Sequence, residues 1–128
     1  MVLDTDCVIR LITKDDEKKA LKVEKAMRGA KYLVLTDVTF AEIYFVLKSN
    51  YSFDRKEIFK VLTGLVNTAN VVCNTEVLLK TVDILSAVAS SSFVDAYEAA
   101  FSLVGNTGKV LSFDRDFDKI RGITRVEP

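Results

Sequence analysis

The sequence predicts an α/β fold in which a short parallel sheet is covered by helices on both faces. Short apolar runs rich in Val, Ile and Leu alternate along the whole chain with segments of helical periodicity. Such alternation is typical of parallel strands that are buried on both faces and connected by helices. The only proline is the last residue, and five glycines are too few to mark a linker. We therefore expect one domain over residues 1–128.

Five apolar runs are predicted to be strands, because each is short and bounded by polar or small residues. The first run starts at Val2-Leu3, and the others cover residues 32–35, 71–73, 109–112 and 123–126. Because a helical segment separates each run from the next, the strands are expected to run parallel in one central sheet of four to five strands.

The segments between these runs carry the spacing of amphipathic helices. Residues 40, 43, 44 and 47 are apolar at positions i, i+3, i+4 and i+7, which is the clearest example. Polar residues suited to cap a helix come before several segments, among them Asp16 and Asp54. The remaining helices are predicted around residues 8–12, 16–29, 54–66, 74–89, 93–104 and 114–120.

The composition excludes several kinds of chemistry. The chain has no histidine and only two cysteines, which excludes a His-ligated zinc site and a catalytic triad with a histidine base. Eighteen basic and eighteen acidic residues give no net charge, which argues against binding nucleic acid by bulk electrostatics. No apolar run approaches the ~20 residues needed to span a bilayer, and acids at positions 4 and 6 are unlike a signal peptide. We expect a soluble, cytoplasmic protein with no membrane partner.

Two acidic residues follow predicted strands at their C-terminal ends, the edge at which α/β sheets bind ligands. Asp4 comes after the first strand and Asp114 after the fourth. Asp4 has an equally good structural explanation, because it could cap the helix that follows. Position alone leaves both interpretations open.

Two further acids are isolated charges within apolar helices. Glu42 has Val38, Phe45 and Val46 on its own face, and a carboxylate on a buried apolar face needs a partner. The structural alternative is that Glu42 reaches water from the edge of the apolar stripe. Asp95 lies in an apolar helix next to small residues, and it could equally be a first-turn residue that favours the helix N-terminus.

These four acids suggest a shared site. Carboxylates that crowd together repel one another unless they take up protons or bind a hard cation. Without histidine, an all-oxygen ligand set favours Mg²⁺ or Mn²⁺, which act on phosphate oxygens and activate water. The pattern therefore predicts metal-dependent phosphoryl chemistry that uses Asp4, Glu42, Asp95 and Asp114.

The segments that contain these acids resemble the PIN domain family, and most closely the VapC-type toxin ribonucleases of toxin–antitoxin pairs. They read LDTDCVIRL, DVTFAEIYFVL, SFVDAYEAA and VLSFDRDFDKI, in the family's order and across nearly the whole chain. The resemblance implies a PIN-like three-layer sandwich and an endoribonuclease that hydrolyses RNA with Mg²⁺ or Mn²⁺. It also implies that the four acids are both metal ligands and catalytic, with Asp4 and Asp95 the most dependable direct ligands.

The resemblance implies supporting roles for neighbouring residues. Ser112 stands where the family usually has Thr and would hydrogen-bond a carboxylate of the cluster, and Asp116 is sometimes counted as a fifth acid. Asp6 stands where many relatives have Asn or Ser and adds a charge near the site. Arg10 and Arg115 lie close in sequence to the acids and are candidates to bind substrate phosphates.

The expected partners also follow mainly from the resemblance. The RNA substrate is expected to be single-stranded or a loop, whose bases can splay onto a protein. VapC-type toxins usually form homodimers and are inhibited by a small antitoxin protein whose helix covers the acidic groove. We expect the same of this chain.

Two other classes of function remain open. Asp4-Thr5-Asp6 is a D-x-D motif after a strand, as in haloacid-dehalogenase-type phosphohydrolases, where Asp4 would be the nucleophile. That class gives Glu42 no role. A non-catalytic module is the other alternative, either a PIN-like scaffold or a receiver-like domain, although the last strand offers no lysine for a receiver.

Overall fold

The computed structural model describes residues 1–128. They form two compact units, unit 1 at residues 1–74 and unit 2 at residues 75–128. The prediction of one domain over 1–128 stays a prediction. None of the helices is both long enough and apolar enough to cross a membrane.

Unit 1 contains four helices, α1 (Thr5–Thr13), α2 (Glu17–Gly29), α3 (Asp37–Ser49) and α4 (Arg55–Val66). Helix α1 packs against α2 and α3, and α3 packs against α4. The apolar residues of α3 that were predicted from their spacing are all buried: Phe40, Ile43, Tyr44 and Leu47. Their burial confirms the helical period read from the sequence.

The strands of unit 1 are very short. Strand β1 (Leu33–Val34) pairs in parallel with β2 (Val71–Val72), and Leu33 lies opposite Val71. The predicted first strand is reduced to a single parallel bridge between Val2 and Val34. This bridge places Asp4 directly after extended backbone, as the sequence predicts.

Unit 2 contains α5 (Thr75–Ala87), α6 (Phe93–Val104), β3 (Lys109–Leu111), a 3₁₀ helix (Arg115–Lys119) and β4 (Thr124–Val126). Helix α5 packs against α6, and α6 against β3. Strands β3 and β4 are parallel, and the backbone segments just before the two strands lie close together. A Cβ on Gly108 would lie 3.0 Å from the carbonyl oxygen of Gly122, and the φ of Gly108 is +59°. Glycine suits this position because it carries no Cβ.

Hydrogen bonding does not give the predicted central sheet of four to five strands. It gives two separate two-stranded parallel sheets and one bridge, so the three-layer sandwich is not confirmed. The parallel direction of the pairs is confirmed, and four of the five apolar runs contain strands, while the first forms only the bridge at Val2. Local patterning identifies strand-forming segments, but it carries little information about which segments pair when each is only two or three residues long.

Candidate functional site

Asp4 caps the N-terminus of α1. Its Oδ2 accepts a hydrogen bond from the backbone N–H of Asp6 at 3.2 Å, and the side chain is exposed and pairs with no cation. The structural explanation offered for Asp4 is therefore confirmed. The capping hydrogen bond occupies only one acceptor site of the carboxylate, because an ionised carboxylate has about four acceptor sites. The remaining acceptor sites are available to a ligand.

Glu42 lies on an exposed face of α3, so the expectation that its neighbours bury it was wrong. Its side chain is exposed, and its neighbours Val38 and Phe45 are 76% and 46% exposed. The buried stripe of α3 runs along the opposite side of the helix. Glu42 is therefore a hydrated carboxylate with no ion pair, beside apolar side chains that also face solvent.

Asp95 lies in the first turn of α6. Ser92 caps this helix by accepting the backbone N–H of Asp95 at 3.1 Å, and both Ser91 and Ala99 are buried. The Asp95 side chain is half-buried and pairs with no cation. A carboxylate in this position is favoured by the partial positive charge of the helix N-terminus.

Asp114 caps the 3₁₀ helix of unit 2 and is held by two successive turns. Its backbone N–H donates to Ser112 Oγ at 2.9 Å, and its Oδ1 accepts the N–H of Asp116 at 2.8 Å. The Ser112 hydroxyl thus bonds the backbone of Asp114, whereas the resemblance implies a carboxylate partner. Asp116 Oδ1 pairs with Lys119 Nζ at 2.8 Å, and this hydrogen bond raises the pKa of Lys119.

Sequence reasoning missed Arg125, which supports the backbone next to Asp114. Its Nη1 donates to the carbonyl oxygen of Ser112, and its Nε donates to Asp118 Oδ1, both at 3.1 Å. The hydrogen bond to Asp118, then that to Glu127, raises the pKa of Arg125. These partners lie up to thirteen residues away along the chain, so no local sequence motif indicates the contacts.

Sequence reasoning also missed the contacts that surround Arg10. Its Nε lies 3.3 Å from Asp6 Oδ1, and its Nη1 donates to Asp15 Oδ2 at 2.9 Å. Tyr51 Oη donates to the same Asp15 oxygen at 3.3 Å. The i,i+4 spacing of Asp6 and Arg10 was a readable signal in the sequence, whereas the contribution of Tyr51 was not.

Four predicted ligands are present as unpaired carboxylates, two of them in each unit. They are Asp4 and Glu42 in unit 1, and Asp95 and Asp114 in unit 2. Taken by itself, neither unit gathers three or more acidic or cysteine side chains placed to hold a metal ion. The donors are all hard oxygen atoms with free lone pairs, and this chemistry fits Mg²⁺ or Mn²⁺.

The family model of the PIN domain matches residues 1–123, a range that contains all four carboxylates. A search of curated proteins found no matching relative.

Proposed function

This chain belongs to the PIN domain family, whose members are generally metal-dependent nucleases, and from that premise we propose that it is an endoribonuclease. It would hydrolyse RNA phosphodiester bonds with Mg²⁺ or Mn²⁺ and act as the toxin of a toxin–antitoxin pair. The family match over residues 1–123 carries the proposal. The unpaired carboxylates at the four predicted positions, of which Asp95 is half-buried and the other three are exposed, support it.

The ion would be held by Asp4, Glu42, Asp95 and Asp114, with Asp4 and Asp95 as direct ligands. When bound, it would activate water and stabilise the charge that develops on the phosphate. The chain's own backbone orients two of these carboxylates. The Asp6 N–H fixes one oxygen of Asp4, and the Asp116 N–H fixes one oxygen of Asp114.

Of the two candidate phosphate-binding residues, Arg115 is favoured over Arg10. Arg115 is exposed and pairs with no carboxylate, whereas the guanidinium of Arg10 already contacts Asp6 and Asp15. We propose that Arg115 binds a phosphate of single-stranded or looped RNA close to Asp114. Hydrolysis would leave 5′-phosphate and 3′-hydroxyl ends, as is general for nucleases of this type.

The proposed protein partners are a small antitoxin and a second copy of the chain. The exposed apolar side chains of Val38 and Phe45, on either side of Glu42, support a partner that covers this face of α3. A cytoplasmic location is proposed with them, because the RNA substrate and the antitoxin would be met there.

The proposed activity is tested by incubating total RNA with the protein in Mg²⁺ and in EDTA, followed by mapping of the cut ends. We expect Asp4→Asn and Asp95→Asn to cut at least about a hundredfold more slowly than the parent, because each removes a ligand charge. Asp83→Asn is the matched control, since Asp83 is an exposed acid of α5 that forms no ion pair.

Melting curves would first establish that all three variants fold. Equal cutting rates in the parent and in Asp4→Asn would refute the proposed site. A parent that binds RNA without cutting it in Mg²⁺ would instead support a non-catalytic PIN-like module.

A further inference from the structure

Asp6 is an acidic residue next to the proposed metal ligand Asp4, and a cation within unit 1 compensates its charge. It lies two residues after Asp4, and its side chain is exposed. Arg10 Nε lies 3.3 Å from Asp6 Oδ1, in a geometry too poor for a hydrogen bond but close enough for an ion pair. Asp4 has no such cation. The two carboxylates of the Asp4-Thr5-Asp6 motif therefore differ in charge environment although they lie on the same helix turn.

The position of Arg10 is set by a second acid. Arg10 Nη1 donates to Asp15 Oδ2 at 2.9 Å, and Tyr51 Oη donates to the same oxygen at 3.3 Å. The hydrogen bond from Arg10 to Asp15 is the main cause of the raised pKa of Arg10. The Arg10 side chain is only 29% exposed, with Nη1 hydrogen-bonded to Asp15 and Nε within ion-pair distance of Asp6.

Asp6 also contacts Asp4 through its backbone. The N–H of Asp6 donates to Asp4 Oδ2 at 3.2 Å. Asp6 therefore contacts Arg10 through its side chain and orients Asp4 through its backbone. An uncompensated second carboxylate so close to Asp4 would repel it or compete with it for a cation. Arg10 lies beside Asp6 and offsets part of that charge.

We propose that Arg10 is a positioning residue that neutralises Asp6 and keeps its carboxylate out of the metal ligand set, so that Asp4 is the only acid of this motif to bind the ion. This inference rests on the proposed function, because it requires a divalent metal at Asp4. It assigns Arg10 a different role from binding substrate phosphate.

The test is the dissociation constant of Mn²⁺, measured without RNA by the electron paramagnetic resonance signal of the free ion. The proteins are the full-length parent and the variants Arg10→Gln, Arg10→Lys, Asp6→Asn, Asp4→Asn and the double variant Asp6→Asn/Arg10→Gln. We expect Arg10→Gln to bind Mn²⁺ roughly three- to tenfold more tightly, since it exposes the charge of Asp6 to the ion. Tighter binding is the opposite of what structural damage would produce.

The other variants keep the inference falsifiable if Arg10→Gln is poorly folded. Arg10→Lys retains the charge and should stay within about twofold of the parent, and the double variant should return to the same range because it removes both charges. Asp6→Asn should weaken binding by less than about tenfold, far less than Asp4→Asn.

The remaining outcomes distinguish failure of the role given to Arg10 from failure of the proposed metal site. Unchanged or weaker binding by Arg10→Gln, or a loss in Asp6→Asn as large as in Asp4→Asn, would overturn the role given to Arg10 and leave the proposed function standing. Parent binding that does not depend on Asp4 would overturn the proposed metal site, and this inference with it.

Discussion

Asp15 receives hydrogen bonds from two parts of unit 1, and its acidity reflects them. Burial acts to raise the pKa of its carboxyl, but the hydrogen bond and the charge of Arg10 outweigh this effect, with help from Thr13 and Tyr51. The pKa of Asp15 is therefore lowered from its ordinary value of 3.8. Because the pair lies at the surface, its contribution to stability is screened by solvent and salt.

This lowered pKa predicts a pH-dependent contribution to stability. A carboxyl whose pKa is lower in the folded state stabilises the protein above its unfolded pKa, and the effect disappears as pH falls through the folded value. We expect Asp15→Asn to melt slightly below the parent at pH 7, and the gap to close as the pH is lowered below about 4. Thermal melts at several pH values would measure it.

The control for this prediction is Asp83→Asn, which removes an exposed carboxylate without an ion pair. The difference in melting temperature between Asp83→Asn and the parent should not shrink at low pH in the same way. If the difference in melting temperature between Asp15→Asn and the parent is as large at low pH as at pH 7, the lowered pKa of Asp15 is not its cause.

Individual helices of this chain begin at side chains that satisfy their first N–H groups. Helix α4 has a complete capping box, because Asp54 Oδ1 accepts the N–H of Glu57 at 2.8 Å and Glu57 Oε1 accepts the N–H of Asp54 at 3.3 Å. Two N–H groups that the helix leaves unpaired are thereby satisfied. The cap also fixes where the chain turns from the loop after α3 into α4.

Loss of this cap should have a measurable cost. We expect Asp54→Ala to lower the free energy of unfolding by about 1 kcal/mol, the usual effect of removing an acidic N-cap. Lys56→Ala is the control, because Lys56 is exposed in the same helical turn and makes no capping contact. Urea denaturation that shows the same stability for both variants would indicate that the cap contributes nothing.

Caps such as Asp54 explain why the helices were predicted better than the sheet. The bounds of α6 match the prediction, since Ser92 and the apolar period after it are local signals. The Val2 bridge and the two separate sheets were not predictable, because pairing depends on residues far apart in sequence. Glu42 shows a related limit, since an apolar helix face can be turned toward water.

The candidate site shows the same division between local and distant contacts. Asp4 and Asp114 were predicted as site residues from their place after strands, and their capping roles follow from short-range hydrogen bonds. Arg125 and Tyr51 act on carboxylates or backbone groups from other parts of the chain. Such contacts exist only once the chain has folded, so a single sequence does not reveal them.

For the molecule as a whole, the absence of net charge makes metal binding informative. Eighteen acidic and eighteen basic residues cancel, so a divalent cation is not attracted by a large overall charge. Stabilisation by a low concentration of Mn²⁺ would then report a specific site. The match to the PIN domain over residues 1–123 leads us to expect such a site in the intact chain.

We therefore expect Mn²⁺ to raise the melting temperature of the full-length protein. A ligand that binds only the folded state adds about 2.7 kcal/mol when its free concentration is a hundred times its dissociation constant. EDTA should reverse the shift, Asp4→Asn and Asp95→Asn should each abolish most of it, and Asp83→Asn should keep it. Differential scanning calorimetry would measure all four proteins. An equal shift in Asp4→Asn and the parent would mean that the ion binds elsewhere.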